Sequence, residues 1–491
     1  MARRAAIGPA GGMVTQRAVI ARARAVVAWR VAIDCACVLV LAGAAGCVTQ
    51  TAAVPAAPTP PQWTTAQLPG GSLPTQTWFE DFGSAELDAL IADAYRDSLD
   101  LQAADARLRQ ADARARAAGA AILPQVDLDA NSTTYAGHSS NGSAHETDYG
   151  ALISASYEID FWGKNRSARD SAEASRKASE ADRAVVALST VTGVANTYFQ
   201  VVALRERIEL AKQALDNTHQ VLDIVQARRS EGLGNPTEEA QQRAAVANAE
   251  IQIKDLEQQQ DAELAALAIL TGQMPGKLRI AAQHLSELHA PVVSAGLPAE
   301  LLARRPDVFA AEESLKAAHA DLAQARAAFF PSIVLTGSGG VQNPAVNAAV
   351  ISLAGLGPSL TAGAALTQAI FNGGRLRAAR DEAAAKEQEM LAQYRSATLA
   401  ALWDVETALA ATAHLQQQQA AQQESVAQSE LALSGAQARY RAGSGDFLTV
   451  LDAERSLFAA REQMSQYRLA RLQAAVGLCK ALGGGWAQKN P

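Results

Sequence analysis

A stretch of 64 residues, Arg166 to Arg229, holds one glycine (Gly193) and no proline. Alanine, glutamine and charged residues dominate it. Small or branched apolar residues recur on a 3.5–3.6 period, the mark of one continuous helix. At 1.5 Å per residue such a helix is about 96 Å long, several times the width of an ordinary domain. No globular core contains a helix of that length, so the chain must build something elongated around it.

The stretch occurs twice. Gly163, Arg166, Arg169 and Asp170 recur 211 residues later as Gly374, Arg377, Arg380 and Asp381. The same offset carries Gly232, Gly234 and Gly272 onto Gly443, Gly445 and Gly483. Upstream, an offset of 207 maps Leu101, Leu108, Ala115, Ile122 and Pro124 onto Val308, Leu315, Leu322, Phe329 and Pro331. The first four of each set are seven residues apart, a coiled-coil seam. The change of offset places an insertion or deletion between Pro124/Pro331 and Gly163/Gly374. This is a tandem duplication of one long unit, not a short solenoid repeat.

The N-terminus reads as an export signal over residues 1–46. Six arginines precede an apolar run from Cys35 to Ala45, and Gly46-Cys47 follows. Small residues before a cysteine suit lipoprotein processing, so a covalent lipid is expected on Cys47. The apolar run is too short to span a bilayer. Of the four cysteines, Cys35 and Cys37 would leave with the signal, and a lipidated Cys47 cannot pair with Cys479, so no disulfide framework is expected. The chain carries −7 overall, with both signs interspersed, and nothing points to nucleic acid. Aromatic residues are only 5%, which suits thin, closely packed helices.

Residues 47–77, rich in Pro, Thr, Gln and Ala, read as an extended tether. Ser84 to Tyr95 predicts a short helix capped by Ser84, and Asp100 to Ala121 a seam helix stopped before Pro124. From Gln125 the period becomes two. Val126, Leu128 and Ala130 alternate with polar residues. After an expected loop over Gly137 to Asp148, Ala151, Ile153, Ala155, Tyr157, Ile159 and Phe161 do the same. The duplicate of this hairpin lies in Pro331 to Gly374, 44 residues without one charged side chain. Glycines and prolines break that run as a transmembrane helix, and its alternation matches the apolar-faced strands of an outer-membrane barrel. Four strands cannot close a barrel, and open edges are intolerable in lipid, so the barrel must be shared between chains. Two chains would give eight strands and three would give twelve.

The first long helix ends at Gly232-Leu233-Gly234-Asn235-Pro236, where Asn235 caps, Pro236 takes the first helical position and Glu238 completes a capping box. Its duplicate has Gly443-Ser444-Gly445-Asp446, with Asp446 capping. Each turn reverses a long helix into a return helix, Thr237 to Leu270 and Phe447 to Leu482. The return helices are half as long as their partners, so the seam helices (Asp100–Ala121, Asp307–Phe329) are expected to stack on them end to end. Two structural repeats result: 78–272 (hairpin 125–162, long helix 166–229, return helix 237–270) and 300–483 (helix 307–329, hairpin 332–372, long helix 376–441, return helix 447–482). The connector 273–299 and the tail 484–491 would form a waist. The fold class is mixed but mostly α: a duplicated coiled-coil helical barrel plus a transmembrane β-barrel with four strands per chain.

Tyr157-Glu-Ile-Asp-Phe-Trp-Gly163, Arg304-Arg-Pro-Asp307, Phe329-Phe-Pro331, Phe371-Asn-Gly-Gly374, Arg439-Tyr-Arg-Ala-Gly443 and Leu451-Asp-Ala-Glu-Arg455 together resemble the TolC-like outer membrane efflux proteins. The lipoprotein branch serving resistance–nodulation–division pumps is the most similar. The resemblance spans roughly Thr77 to Trp486. It implies a homotrimer with a twelve-strand barrel in the outer membrane and a twelve-helix tunnel. That tunnel would dock on a periplasmic adaptor and an inner-membrane pump.

No catalytic constellation, phosphate loop or metal-spaced Cys/His cluster is apparent, so neither an enzyme nor a cofactor beyond the lipid is expected. The Arg304-Arg305-Pro306-Asp307 stretch reads as a helix start rather than an anion site. Leu448 and Asp452 stand one turn apart on one helix face, and in a symmetric assembly each would form a ring, one apolar and one negative. The resemblance places these positions at a gate on the periplasmic tip, with Tyr440, Arg441 and Arg455 as candidates for holding it closed. Gly232, Gly234, Asn235, Gly443, Gly445 and Asp446 build the tip turns and are candidates for adaptor docking. Two rivals remain at this point: a type I secretion duct and a lipid-anchored coiled-coil scaffold.

Overall fold

The computed structural model describes residues 60–65, 71–139, 142–232, 234–347 and 357–487. All belong to one compact unit, Val54–Pro491. The expected signal, Cys47 and most of the tether lie outside the described residues.

Each repeat follows one order. The first has α1 (Ala85–Asp97), α2 (Leu99–Ala120), strands β1 (Gln125–Ser139) and β2 (Gly142–Ile159), α3 (Lys164–Ser230) and α4 (Pro236–Leu270). The second has α5 (Pro298–Leu302), α6 (Pro306–Ala327), strands β3 (Ser332–Asn347) and β4 (Gly357–Thr367), α7 (Arg375–Arg441) and α8 (Phe447–Ala481). The long helices α3 and α7 have 67 residues each, about 100 Å. A 3-10 turn at Trp78–Phe82 and the one-turn helix α5 went unforeseen, being too short to show a period.

The four strands form one antiparallel sheet in sequence order. Gln125 stands opposite Ser156, and their duplicates Ser332 and Thr367 also stand opposite each other. Both hairpins therefore share one register, and the change of offset falls between the strands of each hairpin. Val126, Leu128 and Ile153 share one face with Leu335, Leu360 and Leu366, all solvent-exposed as a lipid-facing band requires. The opposite face is polar: Ser154 donates to Asp129 at 3.2 Å, and Ser338 bonds Thr361 at 2.7 Å. The loop expected over Gly137–Asp148 is a correction. Strand pairing continues through Gly137↔Ala144 and His138↔Ser143, because backbone groups there still need partners although neither face is apolar. Asp160 caps α3 by accepting from the Asn165 and Arg166 amides at 3.0 and 2.8 Å.

The stacking of short helices is present in both repeats. Gly272, just past α4, has φ +70°, and a Cβ there would overlap the Asp97 carbonyl between α1 and α2. Gly483, just past α8, has φ +85° and stands against the Arg304 carbonyl, where α6 begins. The duplication extends to side chains. Asp112 lies 3.8 Å from Arg176, and their counterparts His319 and Glu387 meet at 2.7 Å with the acidic member on the other helix.

The connector packs against α3 and α8. Buried Glu206 accepts from the Leu285 amide at 2.9 Å and from Arg468 at 3.2 Å, and Arg205 donates to the Ala282 carbonyl at 3.0 Å. Leu278, Ile280 and Leu285 join the largest apolar cluster there, with Tyr198, Phe199 and Cys479. Burial pushes the Cys479 thiol up to about 12, so it is inert. The tether is fastened at the same level: Trp63 donates to the Gly296 carbonyl at 2.9 Å, and the Thr64 amide to Glu406 at 2.5 Å.

Candidate functional site at the helical tips

The two hairpins α3/α4 and α7/α8 end in turns built on the same glycine spacing. Gly232 and Gly443 have φ +77° and +74°, with open space where a Cβ would stand. Gly234 and Gly445 serve differently. A Cβ on either would lie 2.7 Å from the Arg229 amide nitrogen or 3.1 Å from that of Tyr440, so the second glycine permits close backbone approach. Asn235 caps α4 by accepting from the Thr237 amide at 2.9 Å. Asp446 caps α8 by accepting from the Thr449 amide at 2.7 Å and its hydroxyl at 3.0 Å, which holds its carboxyl below the usual range.

The expected capping box does not close. The Asn235 side chain serves the second amide, Thr237, rather than the third, and the Glu238 carboxylate makes no hydrogen bond among the described residues. Glu239 ties the first turn instead, pairing with Arg229 and, at 2.6 Å, with Arg243. Arg229 above all holds the Glu239 carboxyl below its usual range.

The second tip is packed through aromatic side chains. Tyr440 and Phe447 are buried with ring centroids 6.0 Å apart, in one cluster with Val225, Leu433 and Val450. Arg228 of α3 lies over the Tyr440 ring at 4.6 Å and donates to the Tyr440 carbonyl at 3.2 Å, joining the two hairpins. Tyr440 is thus an interior residue. Leu448 is 62% exposed and Asp452 is exposed on the same face of α8. Arg441 and Arg455 are exposed as well, and no ion pair among the described residues reaches either of them or Asp452.

Just above this tip, a cavity of about 190 Å³ separates the two hairpins. It is lined by Asn217 and Thr218 of α3, Asn248 and Gln252 of α4, and Glu454 of α8. One Glu454 oxygen is buried without a hydrogen-bond partner, and burial pushes the carboxyl up to about 7. Sequence reading missed this group, since a glutamate on a charged helix carries no signal of burial.

Arg305 is buried and structural. It donates to Asp307 at 2.9 and 2.6 Å, to Asp404 of α7 at 2.9 Å and to the Ala481 carbonyl of α8 at 3.0 Å. Burial alone would raise the Asp307 carboxyl, but the guanidinium outweighs it and holds that group below its usual range. Among the described residues no group of three or more His, Cys, Asp or Glu is placed to hold a metal.

Comparison with known proteins gives the geometry its context. The outer membrane efflux protein family matches residues 90–273 and 297–484, one match per repeat. The pyoverdine export outer membrane protein OpmQ of Pseudomonas aeruginosa is 43% identical, over 83% of this chain and 87% of its own. The cation efflux system protein CusC of Escherichia coli is 30% identical, over 88% of this chain and 94% of its own. The open-state crystal structure of the MtrE outer membrane channel of Neisseria gonorrhoeae superposes with a TM-score of 0.78 at 29% identity, covering 90% of this chain and 98% of that one. Neither a scaffold nor a type I secretion duct fits this set of relatives. With barrel strands, duplicated tunnel helices and both family matches in hand, the chain belongs to the outer membrane efflux protein family and is the outer-membrane channel component of an efflux pump.

Proposed function

We propose that the chain works as a homotrimeric, passive duct closed at its periplasmic tip by one ring of Leu448 and one of Asp452. The observation that carries this is the exposure of both side chains on one face of α8, one turn apart, with no ion-pair partner for Asp452 among the described residues. Copies of this leucine around a symmetry axis would cover one another and form an apolar constriction. Arg441 and Arg455, also without an ion pair among the described residues, would meet acidic groups across subunit boundaries. Tyr440 anchors the hairpin that moves rather than blocking the duct.

The turns at Gly232, Gly234, Asn235, Gly443, Gly445 and Asp446 form the surface on which a periplasmic adaptor would dock, beneath a resistance–nodulation–division pump in the inner membrane. The channel itself would do no chemistry, and its only covalent group would be lipid on Cys47. Greater identity to a pyoverdine exporter than to a cation efflux protein favours an organic small molecule as cargo. The chain's five methionines also offer little basis for a relay of soft metal ions.

Single-channel conductance in planar bilayers, wild type beside Asp452→Ala, tests the gate. A small wild-type conductance that rises in the variant supports it. Equal conductance moves the gate elsewhere, and no conductance from folded oligomer removes the duct.

A further inference from the structure

The apolar packing at the tip end of the rod comes as two separate clusters, with a gap between them. Tyr440, Phe447 and Val450 belong to the cluster at the tip, and Leu204, Ile208 and Leu256 to the next one along the helices. The cavity of about 190 Å³ is lined by members of both. Leu433, Leu451 and Leu457 come from the tip cluster and Ala211 from the next, with Phe458 packed against it.

The duplication shows what leaves this space open. On the offset of 211, Ala211 corresponds to Gln422 and Ala249 to Ala460. In the second repeat the Gln422 amide reaches across to α8 and donates to the Ala460 carbonyl at 2.9 Å. In the first repeat a methyl group stands at that position of α3, so the corresponding space towards α4 is unfilled. Both Ala211 and Ala249 line the cavity.

Glu454 enters the lining from α8, with one carboxylate oxygen buried and without a hydrogen-bond partner among the described residues. Helices α3, α4 and α7 contribute no charged side chain to the lining. Its other charged groups, Arg455 and Arg461, stand on α8 itself. Arg455 is the next residue along the helix, so it faces another way, and it is exposed. Arg461 lies two turns further on and pairs with Glu430 of α7 at 2.6 Å. Burial alone accounts for the upward shift of the Glu454 carboxyl, so neither guanidinium answers its charge.

We propose that the cavity between the two hairpins is a binding site for a small organic cation, an ammonium group on a ring-sized apolar body, with the Glu454 carboxylate as its counter-ion. An ammonium brings N–H donors to a buried acceptor that has none, in a charge-assisted hydrogen bond about twice as strong as a neutral one. Leu451, Leu457 and Phe458 receive the apolar body. A cavity of about 150 Å³ admits benzene, and one of about 190 Å³ takes a ring with its substituent. Asn248 and Arg455, the exposed members of the lining, mark the way in. A metal ion fits less well, since it would find a single carboxylate there. A cation bound in this space touches α3 and α4 on one side and α7 and α8 on the other, and so joins the two hairpins above their turns.

The test is calorimetric titration of the full-length protein in detergent with benzylamine, and with benzyl alcohol as a neutral probe of the same size. At pH 8 the wild type should bind the amine at least about tenfold more tightly than the alcohol. Glu454→Gln keeps the shape, loses the charge and should erase that preference. Ala211→Gln gives the first repeat the side chain that fills this space in the second, and should abolish binding of both probes while Glu454 stays in place. The carboxyl takes up its proton near 7, so wild-type affinity for the amine should fall about tenfold per pH unit below that point, a slope absent from Glu454→Gln. Equal binding of amine and alcohol would overturn the counter-ion role of Glu454. Unchanged amine binding in both variants would put the site elsewhere, and no binding to the folded wild type would mean that the cavity holds only water.

Discussion

The two tips descend from one ancestral turn and have diverged into different devices. In the first, Arg229, Glu239 and Arg243 form a charged clasp, while Thr237 and Gln241 occupy the outward face of α4. In the second, the clasp positions hold Tyr440, Val450 and Glu454, and the outward face carries Leu448 and Asp452. Replacing an ion-paired network by aromatic packing exchanges fixed directional bonds for contacts that tolerate small displacements. The first tip is built to hold its shape. The second has turned Asp452 outward and left Glu454, at one of the clasp positions, with a buried oxygen and no ion-pair partner among the described residues.

The sharpest way to break that distinction is to make the second tip resemble the first. Leu448→Thr with Asp452→Gln should raise bilayer conductance by roughly tenfold, the scale on which lost ring interactions of about 1–2 kcal/mol change an opening equilibrium. The reciprocal Thr237→Leu with Gln241→Asp should leave conductance unchanged. Next in size is Phe447→Ala, expected to cost about 3–5 kcal/mol of local stability. Amide exchange should quicken around the α7–α8 turn and not around the α3–α4 turn.

The pH response separates the tips further. The Glu454 carboxyl titrates near 7 in the folded chain against 4.5 when free, so the native state binds the extra proton. Stability at this site is therefore full below about pH 4.5 and falls as pH rises through 7. Glu454→Gln should raise the midpoint of thermal unfolding at pH 8 by the equivalent of about 1–2 kcal/mol, allowing for partial exposure, and have almost no effect at pH 4.5. A control compares the two turns, where the expected difference between the tips is zero. Gly232→Ala and Gly443→Ala should each cost about 1–2 kcal/mol, equally, since both need a left-handed backbone and neither meets a neighbour. Unequal costs would mean that the turns themselves have diverged.

Most of this architecture was legible from the chain because long elements carry long periodic signals. The ends of α3 and α7 fall within two residues of the positions read from Arg166–Arg229 and 376–441. The duplication supplied a second reading of every doubtful element, which is why the uncharged run after Pro331 was recognisable as strands. What escaped depends on contacts between distant segments. The strand pairing through Gly137 and His138 has no apolar face to announce it. The Glu239 clasp, the burial of Tyr440 and the orphaned Glu454 oxygen all depend on which face of one helix meets another. Arg305 was readable as part of a helix start, but its bridge to Asp404 and Ala481 joins residues 99 and 176 positions away.

The glycines that close α4 and α8 have a mechanical consequence. Beside each unbroken 67-residue helix runs a strut made of two pieces that meet at Gly272 or Gly483. An interrupted helix has no hydrogen-bond ladder across the break, so it offers little stiffness to bending there. The two breaks occupy corresponding places in their repeats. At that one level the unbroken helix alone carries the hydrogen-bond ladder across, and the connector packed beside it supplies the bracing that the strut lacks.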